Sequence, residues 1–360
     1  MAGGVRPALD AEAIKPLLRD LGQGPTAGRA LTREEARYCL DLILDGVATP
    51  AQSGAFLLLQ RYKGETPDEL LGFVDAVRGR ATTRAIQPKV EGLLDIGSPY
   101  DGRVRTVSVS VTASLIAAAA GVPILLHGEP GIPPKYGYTI GDVLDALGMA
   151  TEEVPENVER GVERIGIGYM RQAHFAPDLV AIKSLREEIT LRSPLNMVEK
   201  IYDAASAPYH LIGLTHVPYL EKLAGALTGM GFRKTALVQG LEGNEDLPTN
   251  RGVRVIESIS GADEATLNEY RINAGDYGLT PLAAEELSSE PTAAHSAQLA
   301  VQVLGNQASA PWRDLAVFNA GFRIYLAERT RDIAQGIERA RAVLASGDAA
   351  TLLDRWRAGS

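Results

Sequence analysis

Two arginines, Arg103 and Arg105, follow directly on Gly97-Ser98-Pro99-Tyr100-Asp101-Gly102. Guanidinium groups spaced this closely can hold an anion between their side chains; the alternative is a solvated loop. Further along, Glu245 and Asp246 stand side by side. Oxygens of that type suit a hard divalent cation that keeps waters and phosphates in its shell, and the alternative is an acidic surface loop. Ser108 and Ser110 stand before an apolar helical run, where a hydroxyl either caps the helix or joins an anion site at its N-terminus. Arg186 has the fork to take a planar carboxylate bidentately, or to pair with Glu187 or Glu188 on a helix surface. Other chemistries lack their residues. There is no G-x-S-x-G nucleophile turn and no G-x-G-x-x-G between a strand and a helix. His210, His216 and His295 have no partners at ligand spacing, and Trp312 and Trp356 read as packing residues.

The elements that must position these groups come in two styles. Thr32 with Glu35 forms a capping box, and Ala36, Leu40, Ile43 and Leu44 repeat at helical spacing until Gly46. Pro50 opens a second helix running to Lys63, and Thr66-Pro67-Asp68-Glu69 caps a third running toward Arg80. From Gln87 onward, short apolar segments alternate with helices: strands over 92–96, 122–127, 211–214 and 235–239, with helices over 110–120, 140–147 and 219–230 between and around them. That alternation predicts a mostly parallel sheet. A charged helix is expected over 176–192, and amphipathic helices over 314–327 and 332–345, with Gly347 as a stop.

With 360 residues, roughly two domains are expected. The 36 basic and 45 acidic residues leave a net charge of −9, which excludes a globally cationic surface for nucleic acid but not a local basic groove. Cys39 is the single cysteine, so a disulfide framework and a multi-cysteine zinc site are excluded; it reads as a buried helix residue in a reducing, cytoplasmic compartment. No charged-then-apolar leader and no apolar run near 18 residues is present, which argues against secretion and membrane spanning.

Several of these segments together carry a resemblance. The run from Leu31 to Ala36, Gly46 to Gln52, Gly54 to Leu57, Lys63 to Thr66 and Glu69 to Gly72 is similar to the helical N-terminal domain of anthranilate phosphoribosyltransferases. The likeness continues through Asp101-Gly102, His127-Gly128, Lys135, Asp142 to Gly148, Arg186 to Asn196, Asp276 to Gly278, Asn319-Ala320 and Gly336, and so covers nearly everything after residue 30. It implies a small all-helical domain used for homodimerisation beside a large α/β domain with a mostly parallel central sheet flanked by helices. On that basis residues 1–30 are a lead-in, 31–84 the small domain joined by helices from about 176–200, and 85–175 with 201–360 the large domain.

The resemblance also assigns roles. Gly97, Ser98, Asp101 and Gly102 match the family's G-T-G-G-D pyrophosphate loop, with Pro99 removing a donor and Tyr100 placing a ring where the family is open. With Arg103, Arg105, Ser110, His127 and Lys135 they form the expected donor or anion site. His174 and Arg186 stand at the acceptor positions. Glu245 and Asp246 match the Asp-Glu pair that holds magnesium, in reversed order, and their removal is expected to abolish magnesium-dependent binding with little effect on stability. Leu126, Glu129, Pro130, Pro133 and Pro134 depart from the family's K-H-G-N-R and serine positions, and Glu129 needs a compensating cation. These departures lead to the expectation of a diverged paralogue: a magnesium-dependent glycosyltransferase handling a phosphoribosyl-type group from a phosphorylated sugar or other anionic small molecule, and not a true anthranilate phosphoribosyltransferase. The alternative is a non-catalytic paralogue that binds nucleic acid along a basic groove of the dimer, with Arg78, Arg80, Arg84, Lys89, Arg103 and Arg105 as its stripe.

Overall fold

The computed structural model describes residues 9–24, 27–215, 217–261 and 265–359. Three helices, Arg33–Leu44, Pro50–Lys63 and Pro67–Arg78, each begin at a threonine closed by a full capping box: Thr32 with Glu35, Thr49 with Gln52, and Thr66 with Glu69. Pro50 and Pro67 occupy the first helical position, where a missing N–H costs nothing. Glu69 does more than cap. Fully buried, it accepts from Leu31 N–H at 2.8 Å, Lys63 Nζ at 2.7 Å and Gln60 Nε2 at 3.2 Å, so its carboxylate ties the segment ahead of Arg33 to two helices. Phe56 and Phe73 meet edge to face at 5.9 Å. Cys39 is buried in this bundle, and burial pushes its thiol up to about 12.

Residues before Leu31, expected as a lead-in, contribute a helix, Ile14–Leu21, whose Ile14 and Leu21 are buried and which packs on Pro50–Lys63. Two later helices join the same bundle: Lys183–Ile189 packs on Pro50–Lys63, and Leu195–Ile201 on Pro67–Arg78. The single charged helix expected over 176–192 is instead broken into Pro177–Ala181 and Lys183–Ile189. Pro177 starts the first piece, Ile182 interrupts, and Thr190, in the left-handed region at φ 58°, ends the second.

The sheet has seven strands: β1 Leu94–Gly97, β2 Ile124–Gly128, β3 Ile167–Arg171, β4 Tyr209–Gly213, β5 Lys234–Val238, β6 Val253–Ile259 and β7 Thr266–Ile272. Their order is β3-β2-β1-β4-β5-β6-β7, parallel from β3 through β5 and antiparallel for the last two pairings. Every residue of β1, β2, β4 and β5 is buried, as a sheet covered on both faces requires. Period-2 alternation divides the side chains. Leu94, Ile96, Leu126, Leu211 and Val238 face one apolar cluster, while Leu125, Met170, Ile212 and Leu237 face the other, which is continuous with the helical bundle. Trp312 and Trp356 pack against the first cluster.

β3, β6 and β7 were not among the expected strands. β7 is mostly exposed and carries Asn268, Glu269 and Arg271, a polar edge that hides the apolar signal while protecting the sheet from edge pairing. Helices Pro155–Ile165, Ala293–Leu304 and Asp348–Arg357 complete the cover. Among the described residues no helix is long and apolar enough to cross a membrane.

Candidate active site

The parallel strands end together at Gly97, Gly128, Gly213 and Val238, and the loops after them build the site. Close approach explains the glycines. A Cβ on Gly213 would lie 1.6 Å from the Asn244 carbonyl oxygen, and one on Gly97 2.2 Å from that of Lys200. Gly102, at φ 72°, lets its loop pass against Gly137. A cavity of about 300 Å³ opens here. The bundle side supplies Arg61 and Glu65; the sheet side supplies Pro99, Asp101, Leu214, Thr215, Glu242 and Gly243; and the 192–200 segment supplies Arg192, Ser193, Asn196, Met197 and Lys200.

Charge in the cavity is mixed: Arg61, Arg192 and Lys200 face Glu65, Asp101 and Glu242, and each of the three basic groups already has a partner within the chain. Arg192 Nε donates to Asp101 Oδ2 at 2.7 Å, and Arg61 Nη1 donates to the Arg192 carbonyl at 2.6 Å. Lys200 Nζ donates to the carbonyls of Gly213 at 2.8 Å and Gly243 at 2.6 Å. Burial pulls Lys200 down to about 7, against the opposing pull of Asp101 and Glu245.

The carboxylates of residues 242–246 divide in two. Glu245 and Asp246 are fully buried. Glu245 Oε1 accepts from Ser98 Oγ at 2.6 Å and from Ser110 Oγ. Asp246 Oδ2 lies 2.7 Å from Arg103 Nη2 and accepts from Val109 N–H at 3.1 Å, while Arg323 Nη2 stands 3.6 Å from Oδ1. Burial opposes the charge on Glu245, and Arg103, Arg323, Ser110 and Ser98 outweigh it, holding the carboxyl below its ordinary value. One oxygen of each, Glu245 Oε2 and Asp246 Oδ1, is buried without a hydrogen-bond partner. Those two hard oxygens fit a divalent cation, but no group of three or more His, Cys, Asp or Glu is clustered among the described residues, so water and ligand would complete any shell. Glu242, on the same turn, is directed to a different set of partners, and its side chain is 1% exposed. Its oxygens take Val104 N–H at 3.1 Å, Arg105 N–H at 3.1 Å, Thr106 Oγ1 at 3.2 Å and Lys135 Nζ at 3.0 Å. Burial resists the charge on Glu242, and Lys135 with the two amides holds the carboxyl below its ordinary value.

The structure thus brings Gly97, Ser98, Asp101, Gly102, Arg103, Arg105, Ser110, Lys135, Glu245 and Asp246 into one region. Arg103, expected to present its guanidinium to a ligand, is 5% exposed and spends that group on Asp246, while Arg105 keeps 73% of its side chain exposed. Ser108 Oγ accepts from Ser110 N–H at 3.2 Å, so the pair divides the two jobs considered for it: Ser108 serves the helix start and Ser110 serves Glu245.

The two acceptor positions lie apart from the cavity lining. Arg186 is 2% exposed and holds Glu199 bidentately, at 2.5 and 3.0 Å, rather than Glu187 or Glu188. His174 lines a separate surface depression with Thr82, Arg84 and Val154, and its Nε2 is 3.3 Å from Glu152. Glu129 finds its cation in Arg171, 2.9 Å away.

His127 is buried beneath the loop. Its Nδ1 is 2.5 Å from Tyr100 Oη, and its Nε2 is 3.2 Å from Asp95 Oδ1. His210 Nδ1 approaches the same Asp95 to 2.8 Å. Burial opposes the Asp95 charge, and the two imidazoles overcome it, holding the carboxyl well below the usual carboxylate range. Asp95, His210 and Lys200 were not among the expected site residues. The signal was present, because Asp95 and His127 fall on apolar strands in phase with Leu125, Ile212 and Leu237. His216 lies outside the described residues.

A sheet that opens at its carboxyl ends onto a cleft beside a helical bundle defines a two-part α/β protein of the kind whose ligands sit at the strand ends. Residues 95–350 match the glycosyl transferase family's a/b domain, and residues 15–81 match its helical bundle domain. Anthranilate phosphoribosyltransferase from Methylocella silvestris is 33% identical over 345 residues, covering 96% of this chain and 94% of the relative. The enzyme of that name from Anaeromyxobacter sp. (strain K) is 35% identical over 323 residues, covering 89% and 92%. The crystal structure of anthranilate phosphoribosyltransferase from Thermus thermophilus superposes with a TM-score of 0.81 at 28% identity, covering 96% of this chain and 98% of that one. The Saccharomyces cerevisiae enzyme in complex with PRPP and Mg shares the fold, with a TM-score of 0.83 at 15% identity and 98% coverage of both chains. The chain belongs to the glycosyl transferase family.

Proposed function

We propose that this chain is a pentosyltransferase that binds a phosphoribosyl-type donor in the cleft and transfers the sugar to a small acceptor, with anthranilate the first acceptor to test. The observation that carries the reading is the cavity of about 300 Å³ at the ends of β1, β4 and β5, into which Arg61 and Arg192 bring cationic groups and Lys200 an amine, beside Ser193 and Asn196. Phosphates and carboxylates are the ligands such groups take. The expected separation from true anthranilate phosphoribosyltransferases draws no support from the relatives, which carry that name over nine-tenths of the chain. Tyr100, the most conspicuous replacement in the donor loop, is 2% exposed and turns its hydroxyl to His127 rather than lining the cavity.

The chain's own part in such a reaction is alignment and charge compensation, since a displacement at an anomeric carbon gains most from oriented reactants and fixed dipoles. Arg192, held by Asp101, and Arg61, anchored to the Arg192 carbonyl, would orient the anionic ends of the ligands. Magnesium, which the yeast relative binds together with PRPP, neutralises a leaving pyrophosphate when present; Glu245 Oε2 and Asp246 Oδ1 are the oxygens that would hold it.

The nucleic-acid reading draws less support: Arg84, Lys89 and Arg105 of its stripe stay exposed, while the other three are paired. Arg78 is spent on Asp203 at 2.9 Å, Arg80 on Asp45 and Asp178, and Arg103 on Asp246. A groove for phosphate backbone wants such groups unpaired and facing solvent. Pairing of two copies through the N-terminal helices is supported by the exposed apolar patch of Leu58, Tyr62 and Leu191.

Isothermal titration with phosphoribosyl pyrophosphate, with and without magnesium and beside a single-stranded oligonucleotide, tests the reading. Magnesium-dependent binding of the sugar, followed by turnover with anthranilate, is expected. Silence with the sugar together with salt-sensitive binding of the oligonucleotide would overturn it.

A further inference from the structure

Glu242 sits in the left-handed region at φ 54°, a conformation a residue with a side chain adopts only when its surroundings over-determine it. What over-determines it is the donor set around its carboxylate, which is 1% exposed. Two successive backbone N–H groups, from Val104 and Arg105, converge with the Thr106 hydroxyl and the Lys135 ammonium, all within 3.2 Å, and Arg105 Nε stands 3.7 Å away. Consecutive amides joined by a hydroxyl and a lysine make a cradle for a tetrahedral oxyanion. In this chain a carboxylate from the chain itself fills it.

The position of Glu242 gives this a second consequence. The side chain borders the 300 Å³ cavity on one side and, on the other, a cavity of about 320 Å³ lined by Arg105, Thr106, Gln239 and Arg251; Thr215 and Glu242 line both. Moving Glu242 aside joins the two spaces and leaves the cradle facing them, with Arg105 and Arg251 on its far wall.

We propose that Val104, Arg105, Thr106 and Lys135 form a phosphate-binding nest, and that Glu242 is its built-in competitor, displaced when a phosphate or pyrophosphate group enters. The proposal rests on the reading of the cleft as a site for a phosphorylated ligand and adds where one phosphate goes and what it must expel. A phosphate brings more charge and three acceptor oxygens to the four donors, against one charge and two oxygens from the carboxylate. The nest therefore selects for charge and keeps the cradle satisfied when no ligand is bound.

The test is titration of the full chain with inorganic pyrophosphate, comparing the wild type with Glu242→Gly, which removes the competitor and suits the left-handed backbone. Affinity is expected to rise at least about tenfold in Glu242→Gly and to be lost again when Lys135→Ala is added. Glu242→Gln, which keeps the shape and removes the charge, should fall between the two. Equal affinity in wild type and Glu242→Gly, or no pyrophosphate binding to any of the folded variants, overturns the nest. Phosphoribosyl pyrophosphate binding to the wild type then decides separately whether the cleft reading survives. Pyrophosphate binding that tightens as expected, with no sugar binding by either protein, would support the nest and overturn the cleft reading alone.

Discussion

Glu242 and the Glu245–Asp246 pair lie on one turn, three residues apart, and all three side chains are enclosed, yet the groups that answer their charge differ. The pair is fully buried and answered by two buried guanidinium groups, Arg103 and Arg323, that have no other carboxylate to serve. Glu242 stands at the rim between two cavities, answered by loop amides and by Lys135, which keeps 19% of its side chain exposed. Charge compensation by guanidinium groups of the core makes a carboxylate part of the fold, even with one oxygen of each left open. Saturation by donors that a ligand also wants makes it replaceable.

The comparison breaks most directly at Asp246. Asp246→Ala strands Arg103 and Arg323 in the core, and a loss of about 3–5 kcal/mol in urea unfolding is expected. A loss below about 1 kcal/mol would mean that the pair is free of the fold, as the sequence alone suggested.

Lys200, which borders both regions, sharpens it next. Its folded value near 7 is depressed from 10.5, so between those values the unfolded chain binds more protons and stability rises with pH. The slope approaches about 1.4 kcal/mol per pH unit at most. Lys200→Met should flatten that limb of the stability profile between about pH 7 and 10.5, and an unchanged slope would show that Lys200 titrates normally.

Glu242→Gln should have the smallest effect, about 1 kcal/mol near neutral pH after allowance for its position at the rim. Its depressed folded value means that this contribution is present above the ordinary carboxylate range and lost as pH falls through the folded value. Thermal melts of wild type and variant should therefore converge in acid. A loss as large as that of Asp246→Ala would erase the distinction between the two regions.

Much of the fold was legible because it rests on local chemistry. The capping boxes at Thr32 and Thr66 appear in the structure as their spacing requires, and the four expected strands lie within two residues of the observed bounds. The helix over 176–192 misled because its charges were regular while Pro177 and Ile182 broke the backbone. β7 was not expected because an edge strand that carries Glu269 and Arg271 lacks the alternation of a half-buried one. Among the site residues, the family resemblance marked Glu245 and Asp246 and the Arg103–Arg105 loop but not which groups face a ligand. Arg186 shows why: its fork found Glu199, thirteen residues away, in the core.

Composition, caps and periodicity determined the layout by themselves: a helical bundle first, then a mostly parallel sheet whose loops carry the polar residues. Those signals act between residues a few positions apart, where backbone geometry fixes who can meet. Which carboxylate is structural and which is displaceable was decided only in three dimensions, because burial and charge compensation depend on partners far away in the chain. Arg103 lies 143 residues before Asp246, and Arg323 lies 77 after it. No local rule links such positions, and only the folded chain puts a guanidinium beside one acid and open space beside the other.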